Sequence, residues 1–362
     1  MQDRESHQEA VKVTPLLSPK RITNIATWNI RTMFQAGKAA QVAREMENYR
    51  ILLLGLCETW WKQSGQLQLL SGQTILYSGH KDECAPHTEG VAIVLSKEAQ
   101  QPLISWEAVS PQIITASFTT KKKNSNITVI LCYAPMNDAL DDKKDEFYDK
   151  LQSVVNRQSD KDITLLMGDL NAKKGDVNTG YEQVMGLHAL GRMNENGELF
   201  ADFSAQNSLV IRGSVFEHRR IHDQATGTSP DHVTENQIDH VCICRKFRRS
   251  LQDVRVKRGA DAASDYHMVL ATLKLHLKRC KPPTNALRTR YNMDLLSDKE
   301  TADKFKINLA NRYQVLQQLY NDKNIQPEEK WKQTKKMWTE TCEETIDRNR
   351  AQLKDWMSAE TL

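Results

Sequence analysis

Acidic and amide side chains follow several apolar runs of this chain, at points where strands of a sheet would end. Glu58 comes directly after the run Ile51–Cys57, and the run from Ile163 to Met167 leads into Gly168-Asp169-Leu170-Asn171, in which Gly168 is predicted to permit a close turn. Hydrolysis of a phosphodiester needs an activated water, charge neutralisation on the phosphoryl oxygens and help for the leaving alkoxide. Mg²⁺ held by hard oxygen ligands supplies much of the last two, so the pattern predicts metal-assisted phosphodiester hydrolysis.

Each of these motifs is weak alone, because a glutamate after a strand and an Asp–Asn turn are both common. They carry weight because six such motifs occur together in one chain, in a fixed order. The motifs are Thr27-Trp28-Asn29, Cys57-Glu58-Thr59, Tyr133-Ala134-Pro135, Gly168-Asp169-Leu170-Asn171, Asn236-Gln237-Ile238-Asp239-His240 and Ala263-Ser264-Asp265-Tyr266-His267. Together they resemble the endonuclease/exonuclease/phosphatase superfamily of metal-dependent phosphodiesterases.

The resemblance implies a metal site built from three side chains. Glu58 would be the principal ligand of Mg²⁺, with Mn²⁺ as a possible substitute. Asn29 would lie beside it and hold metal or phosphate, and Asp265 would help to hold the metal. Their oxygens are of the kind that Mg²⁺ prefers in proteins.

The same resemblance implies that four other side chains handle the phosphate and the water. Tyr133 would contact the scissile phosphate, and Asn171 would hold one of its non-bridging oxygens. Asp169 would position or deprotonate the attacking water. Asp239 would orient and charge a catalytic histidine, which in the superfamily follows the aspartate at position 265.

The pattern breaks at that histidine, because Tyr266 stands in its place. A phenol with a pKa near ~10 can donate a hydrogen bond at neutral pH but cannot carry positive charge. Positioned acid–base groups contribute about 10²–10⁴-fold to rate, so we predict that the fold and metal site persist while turnover falls by about 10²-fold or more. His267 is the alternative donor if the backbone rearranges, since consecutive strand side chains face opposite sides.

Longer segments between Arg21 and about Leu277 resemble the endonuclease of RTE-type non-LTR retrotransposons. They include the stretches 26–33, 87–92, 179–182, 194–200 and 229–240. In the complete element this endonuclease nicks target DNA and leaves a 3′-hydroxyl. Gly227 is a second departure from the family pattern, because that family usually has an aromatic residue at this position. The loss of the aromatic side chain would loosen a loop near bound DNA.

Ten short apolar segments separated by polar turns are predicted strands that would position these residues. They are Thr23–Trp28, Ile51–Cys57, Thr74–Ser78, Gly90–Leu95, Ile113–Thr119, Ile127–Tyr133, Ile163–Met167, Leu209–Ile211, Ile238–Cys244 and His267–Leu275. Several are continuously apolar, as expected of strands that are buried on both faces. The pattern predicts two packed sheets covered by helices, and the resemblance implies an α/β fold, the four-layered αββα sandwich of two mixed sheets seen in exonucleases and DNases.

The predicted organisation has three parts: a flexible N-terminus over residues 1–20, a nuclease domain over 21–280 and a helical extension over 281–362. Strand patterns end at Lys281-Pro282-Pro283. Beyond it, Ser297-Asp298-Lys299-Glu300 reads as a capping box and Pro327 as the first turn of a second helix. This extension resembles the segment that joins the endonuclease to a reverse transcriptase.

The net charge of +4 is modest, but Arg245, Lys246, Arg248 and Arg249 form a basic stripe. It indicates either nucleic-acid binding or a solvated edge strand. No apolar stretch is long enough to span a bilayer, and no signal peptide is seen, so we expect a nuclear or cytoplasmic protein rather than a secreted or membrane one. The seven cysteines are scattered, which argues against a structural zinc site.

Three functions remain open from the sequence. The first is a Mg²⁺-dependent DNA endonuclease that is weakened at Tyr266, and the second is a catalytically inactive nucleic-acid-binding remnant of the same element. The third is another phosphodiesterase of the superfamily, such as a phosphoinositide phosphatase or a deadenylase, which the retrotransposon-like segments disfavour. DNA is the expected partner, and no obligate protein partner is readable.

Overall fold

A computed structural model of the chain describes residues 14–82, 84–85, 87–175, 178–188, 191–216, 225–228, 235–262, 264–277, 291–321 and 327–346. The chain divides into two compact units, Met1–Leu277 and Lys278–Leu362.

The strands of the first unit, in chain order, are β1 (Thr23–Asn29), β2 (Ile51–Cys57), β3 (Ser64–Gln68), β4 (Thr74–Ser78), β5 (Val91–Leu95), β6 (Leu103–Ser110), β7 (Ile113–Thr119), β8 (Asn126–Tyr133), β9 (Ile163–Asp169), β10 (Leu209–Ile211), β11 (Gly227–Thr228), β12 (Glu235–Asn236), β13 (Asp239–Cys244), β14 (Leu251–Lys257) and β15 (Met268–Leu273). Its helices are α1 (Lys38–Asn48), α2 (Lys97–Gln100), α3 (Asp141–Asn156) and α4 (Glu195–Gln206), with 3₁₀ turns at Arg212–Ser214 and Arg245–Ser250.

Two mixed sheets form the centre of this unit. One has the order β14-β15-β1-β2-β5-β4-β3 and the other the order β10-β13-β9-β8-β7-β6. The pairs β1–β2 and β8–β9 are parallel, and their neighbours are antiparallel. The strands β2, β5 and β9 are apolar on both faces because each face packs against another layer.

Three apolar clusters hold the layers together. Leu53, Leu131 and Leu165 belong to the cluster that fills the space between the two sheets. The outer face of the first sheet packs on α1 through residues such as Val42, and the outer face of the second packs on α3 and α4 through residues such as Phe147 and Phe200. This arrangement of four layers confirms the predicted sandwich.

The predicted strands agree with the observed ones apart from small shifts at their ends. The strands β3, β6 and β14 of the two central sheets were not predicted, and all three lie at edges of those sheets. Their sequences are polar or alternate irregularly, as in Ser64–Gln68, because an edge strand is only partly covered. The two-residue strands β11 and β12, which pair only with each other, were not predicted either.

Gly168 lies inside β9 and not in a turn after it, which corrects the sequence interpretation. It pairs with Cys132 of β8, and its φ of 138° is a conformation that favours glycine. A Cβ at this position would lie 1.9 Å from the carbonyl oxygen of Cys132. The absent side chain therefore lets β8 and β9 pair closely up to the residues that end them.

We expect Gly168→Ala to lower the free energy of unfolding by about 2–5 kcal/mol, because backbone strain and overpacking add at this site. Denaturant unfolding measures the loss. The matched control is Gly37→Ala, since Gly37 also has a positive φ, of 81°, but a Cβ there would meet nothing within 4 Å. Equal losses in the two variants would contradict the account of Gly168.

The second unit contains a 3₁₀ turn at Met293–Ser297 and the helices α5 (Lys299–Asn321) and α6 (Pro327–Thr345), which confirms the predicted helical extension. The N-cap of α5 is Asp298 and not Ser297, because the Asp298 carboxylate accepts hydrogen bonds from the backbone N–H and the hydroxyl of Thr301 at 3.0 and 2.8 Å. Across the described ranges of both units, no helix combines the length and apolarity needed to cross a bilayer.

Candidate active site

Five strands bring their polar ends to one edge of the sandwich. In the first sheet, Asn29 at the end of β1 pairs with Cys57, which directly precedes Glu58. In the second sheet, Asp169 at the end of β9 pairs with Tyr133 on one side and with Asp239 on the other. The sequence motifs therefore meet because parallel strands end together while antiparallel β13 starts there.

The amide of Asn29 joins the two sheets at this edge. Its Nδ2 donates to Glu58 Oε1 at 2.6 Å and to Asp169 Oδ2 at 2.9 Å. Its Oδ1 accepts from the backbone N–H of Arg31 at 3.1 Å, which fixes the orientation of the amide. Two carboxylates from different sheets are thus held together by one neutral donor.

Asp169 is buried, and burial raises the pKa of its carboxyl to about 7. Hydrogen bonds from the Asn171 backbone N–H, at 3.0 Å, and from Asn29 oppose this rise in pKa, while the charge of Glu58 adds to it. Asn171 adopts a left-handed conformation with φ of 47°, and its Nδ2 donates to the Ala134 carbonyl at 2.9 Å. Asp169 is therefore a rigidly held carboxyl that can accept a proton near neutral pH.

Tyr133 and Glu58 form the outer part of the same cluster. The Tyr133 hydroxyl hydrogen-bonds to Glu58, and burial, followed by the charges of Glu58 and Asp169, raises the pKa of the phenol. Glu58 has a φ of 56°, and Trp60 and Arg31 are also left-handed, with φ of 61° and 60°. Such conformations cost about 1–3 kcal/mol each and concentrate at functional sites, which is where these three residues lie.

Asp239 is buried, and within the described residues neither of its carboxylate oxygens accepts a hydrogen bond. Burial and then the charge of Asp169 raise the pKa of its carboxyl well above the ordinary value. The Thr226 hydroxyl lies nearby and opposes this rise in pKa. Its oxygen accepts from the backbone N–H groups of Ile238 and Asp239 at 3.1 and 3.3 Å, and its O–H donates to the Asn236 carbonyl at 3.4 Å. A buried carboxylate without a donor is costly, and it marks a missing partner.

The Tyr266 side chain lies beside these carboxylates. Burial, followed by the charges of Asp169, Glu58 and Asp239, raises the pKa of the phenol to about 12, and the charge of Arg31 opposes this rise. The phenol therefore stays neutral at physiological pH. The Tyr266 hydroxyl donates no hydrogen bond to either carboxylate oxygen of Asp239.

The backbone of Tyr266 is held in place independently of its side chain. The indole Nε1 of the buried Trp28 donates to the Tyr266 carbonyl at 2.9 Å, and Ser264 Oγ donates to the Asn29 carbonyl at 2.8 Å. The Tyr266 N–H donates to the same hydroxyl at 3.3 Å. The backbone N–H of His267 donates to the Thr226 carbonyl at 2.7 Å. Trp28, Ser264 and Thr226 are thus positioning residues, and sequence reasoning gave none of them such a role.

Asp265 faces Arg31 in the structure. The guanidinium and the carboxylate form a short ion pair, and both side chains are about half exposed. Sequence reasoning missed Arg31, although a cation two residues after Asn29 was a readable signal. The pair puts a positive charge at the mouth of the site, where an anionic substrate would approach.

The four residues of the basic stripe are not brought to this site. They follow Cys244, at the opposite end of β13 from Asp239, and a six-residue strand separates the two ends by roughly 20 Å. Arg245 donates to Gln183 Oε1 at 2.6 Å, Lys246 Nζ donates to the Asp160 carbonyl at 3.1 Å, and Arg248 donates to the Arg245 carbonyl at 3.3 Å. Arg249 is exposed on the same 3₁₀ turn.

The cluster was also compared with what a divalent cation requires. In the described parts of the chain, no three His, Cys, Asp or Glu side chains form a ready-made metal cage. Mg²⁺ rarely uses such cages, because it keeps several waters and takes one or two carboxylates together with substrate phosphates. The carboxylates of Glu58 and Asp169, which the Asn29 amide holds together, fit that mode of binding.

Comparisons with known proteins agree with this arrangement. Residues 26–265 match the Endonuclease/Exonuclease/phosphatase family. The chain is similar to craniofacial development protein 2 of Bos taurus, at 31% identity over 276 residues, which cover 76% of this chain and 45% of the relative. The chain thus spans about half the length of the curated relatives it matches.

Two solved structures share the fold. The AP endonuclease LMAP from Leishmania major has a TM-score of 0.54 at 12% identity and covers 72% of this chain and 90% of its own. The catalytic domain of Xenopus laevis APE2 has a TM-score of 0.52 at 13% identity, with coverages of 71% and 95%. The matched sequence includes every strand end that forms the site, and we conclude that this chain belongs to the Endonuclease/Exonuclease/phosphatase family.

Proposed function

We propose that this chain is a divalent-metal-dependent DNA endonuclease of retrotransposon origin, weakened at Tyr266. It would hydrolyse one phosphodiester bond of a duplex and leave a 3′-hydroxyl. The observation that carries the proposal is the Asn29 amide, which holds Glu58 and Asp169 together at the end of two sheets. Such a pairing of anionic groups brings no advantage to the fold, since buried like charges destabilise it.

A metal ion would be held by the Glu58 carboxylate, with Asn29 beside it as the donor that orients Glu58, and Mg²⁺ or Mn²⁺ suits carboxylate oxygens. When bound, it supplies charge neutralisation for the phosphoryl oxygens and the leaving alkoxide. Asp265 is a weaker candidate ligand than the sequence predicts, because its carboxylate is engaged by Arg31.

The chain's own groups would orient the reactants. Asp169 has one oxygen on the Asn171 N–H and the other on Asn29, so its carboxylate is fixed for positioning a water and accepting its proton. The Tyr133 hydroxyl, the Asn171 amide and the Arg31 guanidinium would contact the phosphate. Such preorganised donors stabilise charge as it develops in the transition state.

The charged donor next to the phosphate is what this site lacks. An imidazole at position 266 would give Asp239 a partner and supply a proton-bearing cation to the phosphate. The neutral phenol of Tyr266 leaves Asp239 unpartnered, so we expect slow turnover by an otherwise assembled site. His267 does not replace the imidazole in this account, since its side chain is expected on the opposite face of the strand.

The second candidate function is DNA binding without catalysis, and the unpartnered Asp239 is the observation that favours it. Both candidates place DNA as the partner and a nuclear or cytoplasmic location as the setting. The proposed retrotransposon origin rests on the segments that resemble RTE-type endonucleases.

Nicking of supercoiled plasmid with and without Mg²⁺ tests the proposal. We expect slow, metal-dependent conversion to the open circle, with ends that a DNA polymerase can extend because they carry a 3′-hydroxyl. Binding of the same DNA without conversion would favour the remnant. Hydrolysis of soluble inositol phosphates in preference to plasmid would contradict both.

A charge-removal series tests the two cationic regions separately. We expect Arg31→Gln to weaken DNA binding and nicking by about tenfold, because a charge-assisted phosphate contact is lost. Joint replacement by Gln of the four stripe residues, Arg245, Lys246, Arg248 and Arg249, should change the nicking rate by less than about threefold. These residues lie away from the site, so their replacement should weaken mainly non-specific DNA binding. Titrations at several salt concentrations give both effects, and the reverse order would contradict the assignment of Arg31.

A further inference from the structure

An exposed aromatic pair lies beside the site and has no role in the mechanism above. The Phe34 side chain is 57% exposed, and its ring meets the exposed His87 ring edge-on, with centroids 5.1 Å apart and an interplanar angle of 82°. A single exposed apolar residue is ordinary in soluble proteins. This one is held in a defined orientation at the edge that carries the catalytic cluster.

The loop that carries Phe34 is attached to the strand end that carries Glu58. The Phe34 N–H donates to Thr32 Oγ1 at 3.1 Å. The adjacent Met33 is buried, and its N–H donates to the Thr59 carbonyl at 3.0 Å, one residue after Glu58. Phe34 therefore keeps a fixed position relative to the carboxylates.

His87 is held by the same part of the site. Its Nδ1 lies 3.4 Å from the carbonyl oxygen of Trp60, and the Trp60 N–H donates to the Glu89 carbonyl at 2.8 Å. Trp60 itself is left-handed, which a bulky residue adopts only under constraint from its surroundings. The His87 ring, which contacts Phe34, is thus positioned by Trp60, two residues after Glu58.

Phe34 lies close enough to Arg31 to reach a base step near a phosphate that Arg31 would contact. Phe34 is three residues from Arg31, so their Cα atoms are at most about 11 Å apart. Successive bases rise 3.4 Å along a strand, so that distance is about three base steps. Apolar side chains that insert at base steps partly unstack them, and aromatic rings stack on bases without regard to sequence.

We propose that Phe34, supported by His87, inserts at a base step within about three base pairs of the cleaved phosphate and so sets the register of the DNA on the site. The inference rests on the proposed function, because DNA is the occupant. Arg31 argues for DNA over an apolar partner, since this half-exposed cation, three residues from Phe34 and paired with Asp265, would meet a phosphate of the same strand.

Binding of a duplex with 2-aminopurine at successive positions tests the proposal. This base fluoresces more strongly when it is unstacked, and binding is measured without divalent metal so that cleavage plays no part. We expect a fluorescence rise at one or two adjacent positions with the native chain and with Phe34→Tyr. Phe34→Ala should lose the rise and bind about 5- to 100-fold more weakly.

The matched control is Leu70→Ala, because Leu70 is fully exposed and belongs to the turn between β3 and β4. It should behave as the native chain. Equal binding and an unchanged fluorescence rise in Phe34→Ala would overturn the inference and leave the proposed function standing. A duplex that no variant binds or cuts would overturn the proposed function together with it.

Discussion

Tyr266→His is expected to raise the rate of Mg²⁺-dependent plasmid nicking by about 10²-fold or more. The backbone at this position is held by Trp28 and Ser264, so a new imidazole would occupy the space that the phenol now fills. It would find Asp239 buried and, among the described residues, without a partner, and that carboxylate would orient the ring and favour its charged form. The imidazole is also smaller than the phenol, so it fits without overpacking.

Initial nicking rates of the native and the Tyr266→His chains at one DNA concentration measure this effect. Tyr266→Phe is the matched control, because it keeps the ring and removes only the hydroxyl. We expect it to nick as slowly as the native chain or more slowly. A native chain that already nicks as fast as Tyr266→His would mean that Tyr266 or His267 replaces the usual histidine, and the account of a weakened site would be wrong.

Asp169→Asn is expected to lower the nicking rate of the Tyr266→His chain by about 10³-fold. The amide keeps the shape of the carboxyl, but it cannot accept a proton from water. Its one oxygen can accept from Asn29 or from the Asn171 N–H, but not from both. The loss should appear in the maximal rate and leave the affinity for DNA nearly unchanged. Stability is a second readout, because Asp169 is a buried carboxyl beside Glu58, and removing its charge relieves a cost.

Measured without divalent metal at neutral pH, Asp169→Asn should therefore have a free energy of unfolding within about 1 kcal/mol of the native value, because the relief of charge offsets the loss of one hydrogen bond. A variant that loses both activity and stability would indicate a structural role for Asp169. A variant that keeps its nicking rate would remove Asp169 from the mechanism.

The sequence was most informative where burial left a strong pattern. The run Ile51–Cys57 is apolar on both faces because the strand lies between two layers, and its limits were predicted as observed. The edge strand Leu251–Lys257 gave no such signal, because half of its side chains meet solvent. Element type could thus be read wherever both faces of a strand are covered.

The structure brings Asn29, Glu58, Tyr133, Asp169 and Asp239 to one edge of the sandwich, but the sequence did not predict how the residues of this edge pair. The contact between Arg31 and Asp265 joins residues 234 positions apart, and it depends on the β1–β15 register, which no local pattern encodes. The basic stripe is close to Asp239 in sequence but lies away from it in the structure. Each residue of β13 moves the chain about 3.3 Å further from Asp239, so residues beyond Cys244 lie at the opposite end of the strand from the site.

In the proposed mechanism the site lacks only a partner for the Asp239 carboxylate, which none of the described residues supplies. The most direct measurement is the nicking rate of the double variant Tyr266→His/Asp239→Asn, compared with each single variant and with the native chain. We predict that Asp239→Asn removes most of the gain that Tyr266→His gives, while it changes the native rate by less than about threefold, because interacting residues are non-additive. A gain that persists in full without the Asp239 carboxylate would contradict the claim.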